Sequence, residues 1–438
     1  MKKNVLSLML PMLLLLITAC SHDSSNLSDH KITTEAALTT PASLDHSIIE
    51  LNYLSHPDEK DVLKDIISDF ESENPTIKVN LLTLPSSTDD KYAIIKTALE
   101  NGDSGVDLFD ADVTWPAYFV KRGWVLNFDD FYKEDIKKQF LPFTLLANEF
   151  DGHYYGIPYR TDAGVLFYRK DLLEKYKLSP PKNYNDLIDS SKQIMASEAD
   201  VYGYAASWMQ FEGLSCAFYE MLWGFDSHLN LSQDGVFKNR DKAIEALTLM
   251  SGLKNTHRIT PDDIIYYDSG SARKLFMDGK LLFIRDWPTG WSKFQNPELS
   301  QVVGKVGMAQ LPTNTQVSYS TLGGWQIMVS KFSQHPDAAQ KFAAYRCSLK
   351  TQKLAAERQS YLPSLVSLYN DADLIEKFPI LKDIYPIVSN AYPRPKNAKY
   401  PAISKIIQEE CYNTFIHYKT PNDAIVSMEN RIQAELSK

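Results

Sequence analysis

Three tryptophans stand beside fixed charges or paired glycines, in segments that the sequence pattern places at strand ends. They occur in Asp112-Val-Thr-Trp115, Arg285-Asp-Trp287-Pro288 and Leu322-Gly-Gly-Trp325. An indole face can cover the C–H face of a pyranose ring, while a carboxylate or guanidinium holds the ring hydroxyls with charge-assisted hydrogen bonds. These segments indicate a sugar site if the fold brings them together, and ordinary core packing if it does not.

The start of the chain has the pattern of a secretory signal. Two lysines precede the apolar run Val5–Ile17, which is shorter than the ~20 residues that a membrane-spanning helix needs. The residues up to Cys20 resemble a bacterial lipobox, so we expect a signal peptide over 1–19 and lipidation of Cys20. A plain signal peptide cleaved elsewhere is the alternative. The Ser- and Thr-rich segment that follows predicts a lipidated, flexible tether over 20–46.

Composition and charge limit the function. The 438 residues are 44% hydrophobic and 23% charged, which is typical of globular proteins, and the length allows two domain-sized units. A net charge of −9 argues against nucleic acid as a partner. The cysteines at 20, 216, 347 and 411 match no zinc or redox spacing. We expect buried thiols after Cys20, with at most one disulfide.

The usual catalytic segments are missing from the sequence. It contains no Gly-x-Ser-x-Gly, His-Glu-x-x-His, phosphate-binding loop or dinucleotide-binding glycine motif, and its nine histidines lack metal-ligand spacing. We therefore expect no cofactor, no metal and no enzymatic activity. A glycoside hydrolase stays open as an alternative, because that chemistry needs only two carboxylates at the right separation.

From Ile48 onward strands and helices alternate. The predicted elements are a strand at 49–53, a helix at 58–73, a strand at 77–81, a helix at 91–101 and a strand at 106–109. This order is the signature of a mostly parallel α/β sheet. Ligands of such sheets bind outside the carboxyl ends of the strands, where Glu59 and Asp112 stand.

Several segments together resemble one protein family. They are Phe109-Asp-Ala-Asp112-Val-Thr-Trp115, Tyr155-Gly-Ile-Pro158, Thr161-Asp-Ala-Gly164, Tyr168-Arg-Lys-Asp-Leu-Leu-Glu-Lys-Tyr176, Phe211-Glu-Gly213, Arg285-Asp-Trp287-Pro288, Leu322-Gly-Gly-Trp325 and Pro393-Arg-Pro395. Their order and spacing from Ile48 to about Asn430 resemble the extracellular solute-binding lipoproteins of bacterial sugar importers. The trehalose/maltose-binding members look most similar.

The resemblance implies a two-lobed, maltose-binding-protein-like α/β fold with a multi-strand hinge and a ligand cleft between the lobes. It implies that the chain crosses between lobes near 159–164, 306–311 and 342–347. Lobe 1 would comprise 47–160 plus 307–346, and lobe 2 would comprise 161–306 plus 347–438.

The resemblance also implies a set of ligand-binding residues. They are Glu59, Lys91, Asp112, Arg160, Asp162, Trp287, Gly323, Gly324, Trp325, Arg394 and Tyr400. Trp287 and Trp325 are the stacking candidates, whereas Trp115 is expected to support the loop that presents Asp112. Lys91 and Arg160 depart from the relatives, which have arginine and tyrosine there. Both departures leave the sugar open, and Arg160 would suit an acidic or phosphorylated ligand.

The function expected from the sequence is the monomeric, extracytoplasmic substrate-binding component of an ABC importer. It would be lipid-anchored in the periplasm or at the cell surface. It would capture an oligosaccharide, such as the disaccharides trehalose or maltose, and deliver it to the membrane permease. The alternatives are a polyamine or an acidic or phosphorylated sugar in the same fold, and a carboxylate-pair glycoside hydrolase.

Overall fold

The computed structural model describes residues 48–226 and 236–438. The predicted signal peptide, Cys20 and the predicted tether over 20–46 lie outside the described residues, so they stay predictions. Within the described ranges, every helix is too short or too polar to span a membrane.

Strands in the described residues form two main sheets. They are β1 (Ile49–Ser55), β2 (Ile77–Thr83), β3 (Leu108–Asp112), β4 (Glu149–Phe150), β5 (His153–Tyr154), β6 (Ile157–Ala163), β7 (Val165–Arg169), β8 (Tyr202–Ala205), β9 (Leu281–Asp286), β10 (Val306–Ala309) and β11 (Leu322–Val329). The first sheet has the order β2-β1-β3-β11-β6 and the second has the order β10-β7-β9-β8. Strands β4 and β5 pair separately.

Helices cover both sheets. They are α1 (Val62–Glu73), α2 (Thr88–Glu100), α3 (Pro116–Arg122), α4 (Glu134–Lys137), α5 (Pro142–Leu146), α6 (Lys170–Lys175), α7 (Tyr184–Met195), α8 (Glu212–Trp223), α9 (Arg240–Asn255), α10 (Ser269–Met277), α11 (Trp291–Phe294), α12 (Pro336–Arg346), α13 (Leu349–Gln359), α14 (Ala372–Lys377), α15 (Ile380–Ser389), α16 (Tyr400–Phe415) and α17 (Pro421–Leu436). Most of the buried apolar side chains form one continuous core with the sheets.

The alternation predicted for the start of the chain is confirmed, with shifted boundaries: α2 begins at Thr88 rather than at Lys91, and β3 covers Leu108–Asp112 rather than 106–109. Helix α1 begins at Val62 rather than at Asp58, because Lys60 and Asp61 have φ values of 61° and 52° in the left-handed region. The Asp58 carboxylate still caps the helix from outside. It accepts hydrogen bonds from the backbone N–H groups of Leu63 and Lys64, both at 2.9 Å.

The sheets are mixed rather than mostly parallel. Strands β1, β2 and β3 run parallel, as the pattern predicts, but β11 is antiparallel to both β3 and β6. In the second sheet β8 and β9 are parallel, whereas β7 and β10 run antiparallel. A strand that returns from late in the chain has no local signal for its direction, so the alternation could not reveal it.

The path of the chain differs at two places from the predicted division into lobes, which itself stays a prediction. The chain leaves the first sheet at Gly164 and returns only between β10 and β11, because β10 pairs with β7 in the second sheet. Helices α13 and α15 then pack against α1 and β6. Helices α16 and α17 instead pack against α8 and α9, so the third crossing falls within 390–399 rather than near 342–347.

The three cysteines among the described residues are free thiols. Cys216, Cys347 and Cys411 are all buried and none forms a disulfide with another. They behave as small apolar core residues.

Gly164 allows a buried ion pair to lie directly beneath the first crossing. Arg285 Nε donates to Glu220 Oε2 at 2.7 Å, and Arg285 Nη2 donates to Glu220 Oε1. A Cβ atom on Gly164 would lie only 2.5 Å from Arg285 Nη2 and still closer to the Glu220 carboxylate. The absence of a side chain at this position therefore leaves room for the buried ion pair at the crossing.

We expect the substitution Gly164→Ala to lower the free energy of unfolding by roughly 3 kcal/mol, because the methyl group would displace one member of a buried ion pair. Gly252→Ala in α9 is the matched control, since its Cβ would meet nothing nearer than 3.8 Å. Urea denaturation of both variants measures the difference. Equal stability of the two would contradict this account of the crossing.

Candidate functional site

A cavity of about 370 Å³ lies between the two sheets, a volume typical of small-molecule sites. Its walls come from segments that follow β1, β2 and β3 in the first sheet and β8 and β9 in the second. Ten of the eleven residues predicted from the sequence line it: Glu59, Lys91, Asp112, Arg160, Asp162, Trp287, Gly323, Gly324, Trp325 and Arg394. Tyr400, predicted as a contact, does not line the cavity.

Arg394 connects the two sides of the cavity through two carboxylates. Its Nη1 donates to Glu212 at the start of α8, and its Nη2 lies 3.4 Å from Asp112 Oδ1 at the end of β3. Glu212 also accepts hydrogen bonds from the hydroxyls of Tyr400, at 2.7 Å, and Ser404. Tyr400 therefore acts behind the wall, by holding Glu212. We call this group the Asp112–Arg394–Glu212 triad.

Trp325 is surrounded by polar and aromatic groups. Lys91 Nζ and Arg160 Cζ lie 5.2 and 5.9 Å from the centre of its ring, within cation–π range. The His56 ring meets it edge-on at 3.9 Å, and so does Trp115 at 5.4 Å. Trp115 is therefore a supporting residue for Trp325, and it does not line the cavity.

Burial perturbs the titratable groups around Trp325. It lowers the pKa of Lys91 to about 8, with Arg160 lowering it further and Asp110 and Asp112 opposing the shift. Burial, followed by the charges of Lys91 and Arg160, holds the pKa of His56 well below its usual value. The imidazole is consequently neutral at pH 7, and the positive charge near Trp325 comes from Lys91 and Arg160.

Asp162 lines the cavity and keeps one unused acceptor. Its Oδ2 lies 3.6 Å from Arg160 Nη1, but its Oδ1 is buried without a hydrogen-bond partner in the described part of the chain. Burial raises the pKa of Asp162 to about 6, against the opposing charges of Arg160 and Arg273. A hydroxyl donor in the cavity would satisfy this oxygen.

Trp287 lies against Gly323 and a guanidinium. Arg285 Cζ is 4.1 Å from its ring centre. A Cβ on Gly323 would lie 2.8 Å from the Trp287 ring, so only glycine allows this approach. Gly324 has a φ of 138°, which L side chains rarely adopt, and a Cβ there would lie 2.9 Å from the Arg160 carbonyl oxygen. Gly323 thus lets strand β11 lie against the tryptophan, and Gly324 lets it lie against the backbone of β6.

The charged residues beside Trp287 form ion pairs with other residues of the protein. The sequence suggested them as groups that could fix sugar hydroxyls, but Arg285 pairs with Glu220. Asp286 accepts two hydrogen bonds from Arg273, at 2.6 and 2.9 Å. Trp287 lines the cavity, whereas these two neighbouring charges orient the wall behind it.

Two groups of contacts connect opposite sides of the cavity. Glu59 accepts a hydrogen bond from Lys293 of α11 at 2.9 Å. Asp89 of α2 accepts from the backbone N–H of Glu212, at 3.2 Å, and from Gln408 of α16, at 3.3 Å. Elements of the first sheet therefore contact the helices of the second through side chains as well as through the crossings.

Several lining residues were missed by sequence reasoning. They are His56, Pro57, Ser86, Ser87, Thr88, Met209, Phe211, Glu212, Gly213, Cys216, Asp268, Ser269, Gly270, Arg273, Thr289, Lys293 and Tyr361. The segment Phe211-Glu-Gly213 carried a signal through the family resemblance, but Phe211 fits core packing equally well. No local pattern distinguishes Arg273 or Lys293 from ordinary surface cations on a helix.

The sequence of residues 56–351 matches the family model described as bacterial extracellular solute-binding protein. The chain belongs to that family. Its members are transport proteins rather than enzymes, and the family name implies a location outside the cytoplasm.

This solute-binding protein is similar to known proteins over most of its length. It is 30% identical to a probable ABC transporter-binding protein of Deinococcus radiodurans, over 81% of this chain and 86% of that protein. It superimposes on the maltose-bound MalE3 of T. maritima with a TM-score of 0.83 and 31% identity, covering 89% and 99% of the two chains. A Thermotoga lettingae protein bound to α-D-tagatose gives a TM-score of 0.79 at 23% identity, with 89% and 100% covered. The fold is therefore the two-lobed, maltose-binding-protein-like fold that the sequence predicted.

We expect Lys91→Met to stabilise this solute-binding protein in the absence of ligand. Below pH 8 Lys91 is protonated in both the folded and unfolded states. Burying its charge therefore lowers the free energy of unfolding by the full amount that corresponds to the pKa shift. A pKa lowered from 10.5 to about 8 corresponds to roughly 3 kcal/mol. The free energy of unfolding of the variant at pH 7, measured in urea, should therefore exceed that of the wild type.

The gain should shrink as the pH rises from 8 towards 10.5, because folded wild-type protein then releases the proton. Lys96→Met is the matched control on the same helix, since Lys96 is more exposed and pairs with Glu100. Its effect should stay within about 0.5 kcal/mol. A loss of stability in Lys91→Met at pH 7 would show that the ammonium is a structural group.

Proposed function

We propose that this protein is the substrate-binding component of an ABC sugar importer and captures an oligosaccharide of disaccharide size. The observation that carries the proposal is the cavity itself. Two tryptophans, Trp287 and Trp325, line it together with carboxylates and cations that come from both sheets. That combination suits a ring with one apolar face and a polar edge.

The free groups of the cavity are sufficient for binding without chemistry on the ligand. Asp162 Oδ1 and Arg394 Nε are buried without partners among the described residues. Each charge-assisted hydrogen bond contributes roughly 1.5–3 kcal/mol net, so three or four of them with stacking reach about −8 kcal/mol, which is micromolar affinity. Trehalose and maltose are the first ligands to test, since the similar T. maritima protein binds maltose.

Delivery of the sugar to the permease would depend on contacts that the sugar makes with both sides of the cavity. A ligand that touches both sides favours the closed arrangement of the lobes over the open one, because only closure completes its contacts. The membrane permease would then receive the sugar from the closed form. We further propose that the monomeric protein is held at the membrane by lipid on Cys20, in the periplasm or at the cell surface, so that capture occurs beside the permease.

We expect Trp287→Ala and Trp325→Ala each to weaken sugar binding by about 1.5 kcal/mol or more, roughly tenfold or greater in Kd, because each removes aromatic surface from the cavity. Isothermal titration with trehalose, maltose and the preferred sugar of a thermal-shift panel measures the change. Trp124→Ala is the matched control, since Trp124 packs against Tyr118 and Phe119 outside the cavity. Unchanged affinity in both cavity variants would contradict the stacking model.

The same titrations separate the alternatives. A polyamine would need several free carboxylates, but Glu59, Asp112 and Glu212 already pair with Lys293 or Arg394, and Asp162 lies 3.6 Å from the Arg160 guanidinium, which would repel a cation. Binding of spermidine but of no sugar would overturn the proposal. Recovery of glucose after incubation with maltose would indicate hydrolysis instead of capture.

A further inference from the structure

Lys91 is a buried ammonium without a carboxylate partner. Its side chain lies in α2 with only 4% of the residue exposed, and Nζ donates to the Ser86 carbonyl oxygen at 2.9 Å. Within residues 48–226 and 236–438, Nζ has no other hydrogen bond and no carboxylate oxygen within 4.0 Å. Lysines are almost never buried to this extent unless they are paired.

Arg160 is a second cation whose donors are mostly unused. Its guanidinium lies over the Tyr361 ring at 4.1 Å, and its nearest carboxylate atom is Asp162 Oδ2, 3.6 Å from Nη1. The side chain makes no hydrogen bond to any described residue, and Nε is fully buried without a partner. An arginine in such a position ordinarily binds a carboxylate or phosphate with two parallel hydrogen bonds.

The other cations that line the cavity are paired. Arg273 makes two hydrogen bonds to Asp286, Lys293 pairs with Glu59, and Arg394 lies between Asp112 and Glu212. The two cations with unused hydrogen-bond donors, Lys91 and Arg160, therefore lie together. They lie at the end of the cavity formed by Trp325.

Asp110, the remaining acid near Trp325, is occupied by other groups. Its carboxylate accepts hydrogen bonds from the hydroxyls of Tyr53 and Ser55, both at 2.5 Å, and from the backbone N–H of His56 at 3.1 Å. Arg346 also faces it. Asp110 is thus already balanced, and it makes no direct contact with Lys91.

We propose that the sugar carries an anionic group, a carboxylate or a phosphate, which binds to Lys91 and Arg160 beside Trp325. This inference rests on the proposed function and specifies its substrate class. A neutral hydroxyl would fill one or two donor positions and leave the Lys91 charge without an anionic partner. An anion fills the donor positions and also neutralises the charge, while Asp162 and Trp287 remain available to the uncharged part of the sugar.

The test is isothermal titration of the wild-type protein with matched ligands at one ionic strength. The neutral ligands are maltose and trehalose, the carboxylates are maltobionate and a disaccharide that contains a uronic acid, and the phosphate is trehalose 6-phosphate. We expect at least one anionic ligand to bind tenfold or more tightly than its neutral counterpart. The anionic ligand that binds most tightly shows whether the charged group is a carboxylate or a phosphate.

Two variants connect the preference to the residues. Lys91→Gln and Arg160→Gln should each weaken binding of the preferred anion at least tenfold more than they weaken binding of the neutral sugar. Lys96→Gln, which removes a charge from the exposed part of α2, should leave the ratio unchanged. Circular dichroism melts show whether each variant is folded. If a variant is unfolded, the comparison of anionic and neutral ligands on the wild-type protein still tests the proposal.

Each outcome has one meaning. If neutral sugars bind as tightly as every anionic form, the anion site is wrong and the proposed sugar capture stands. If an anion is preferred but both variants keep the preference, the inference is also wrong. If no sugar of either kind binds, the proposed function fails and the inference fails with it.

Discussion

The arrangement of the cavity depends on one buried guanidinium held between two carboxylates. Asp112 closes strand β3 of the first sheet, Glu212 opens helix α8 beside the second, and Arg394 lies in the segment that crosses between them. Each carboxylate alone would be a buried, uncompensated charge, and so would the arginine. The triad is stable only when all three segments meet. It therefore joins the formation of the cavity to the formation of the fold.

Around the triad, the cavity divides its charges into those used by the protein and those left for a ligand. The pairs Glu59–Lys293, Asp286–Arg273 and Glu220–Arg285 fix the walls. Lys91, Arg160 and Asp162 Oδ1 keep unused hydrogen-bonding capacity in a buried setting. Groups of this kind reduce the stability of the empty protein, and functional sites are where such costs persist. The unpaired residues therefore carry more information about the ligand than the paired ones.

Local features of the fold could be predicted from the sequence. The alternation of strands β1 to β3 with helices α1 and α2 follows from apolar spacing, and the three tryptophan segments fall at strand ends as expected. The direction of β11 and the position of the third crossing could not be predicted in this way. They depend on pairing between residues more than 150 positions apart, for which no short pattern exists.

The site itself was predictable where residue type alone limits the role. Tryptophans and glycines at strand ends pointed to the cavity wall, and ten of the eleven residues do line it. The sequence did not reveal which charged residues pair with each other and which keep unused hydrogen-bonding groups. Glu212 at a helix start fits an ordinary acidic first turn, and nothing near Arg285 in the sequence reveals its partner Glu220, which is 65 residues away. The role of Tyr400 was likewise not predictable, because it contacts Glu212 behind the cavity wall and does not line the cavity.

The most direct test of the central claim is a crystal structure of the protein with the sugar that gives the largest thermal shift. We expect one sugar in the cavity between the sheets, with a ring against Trp287 or Trp325, a hydroxyl within hydrogen-bond distance of Asp162 Oδ1, and an intact Asp112–Arg394–Glu212 triad. A sugar bound in a surface groove outside the cavity, with the cavity filled only by water, would contradict it.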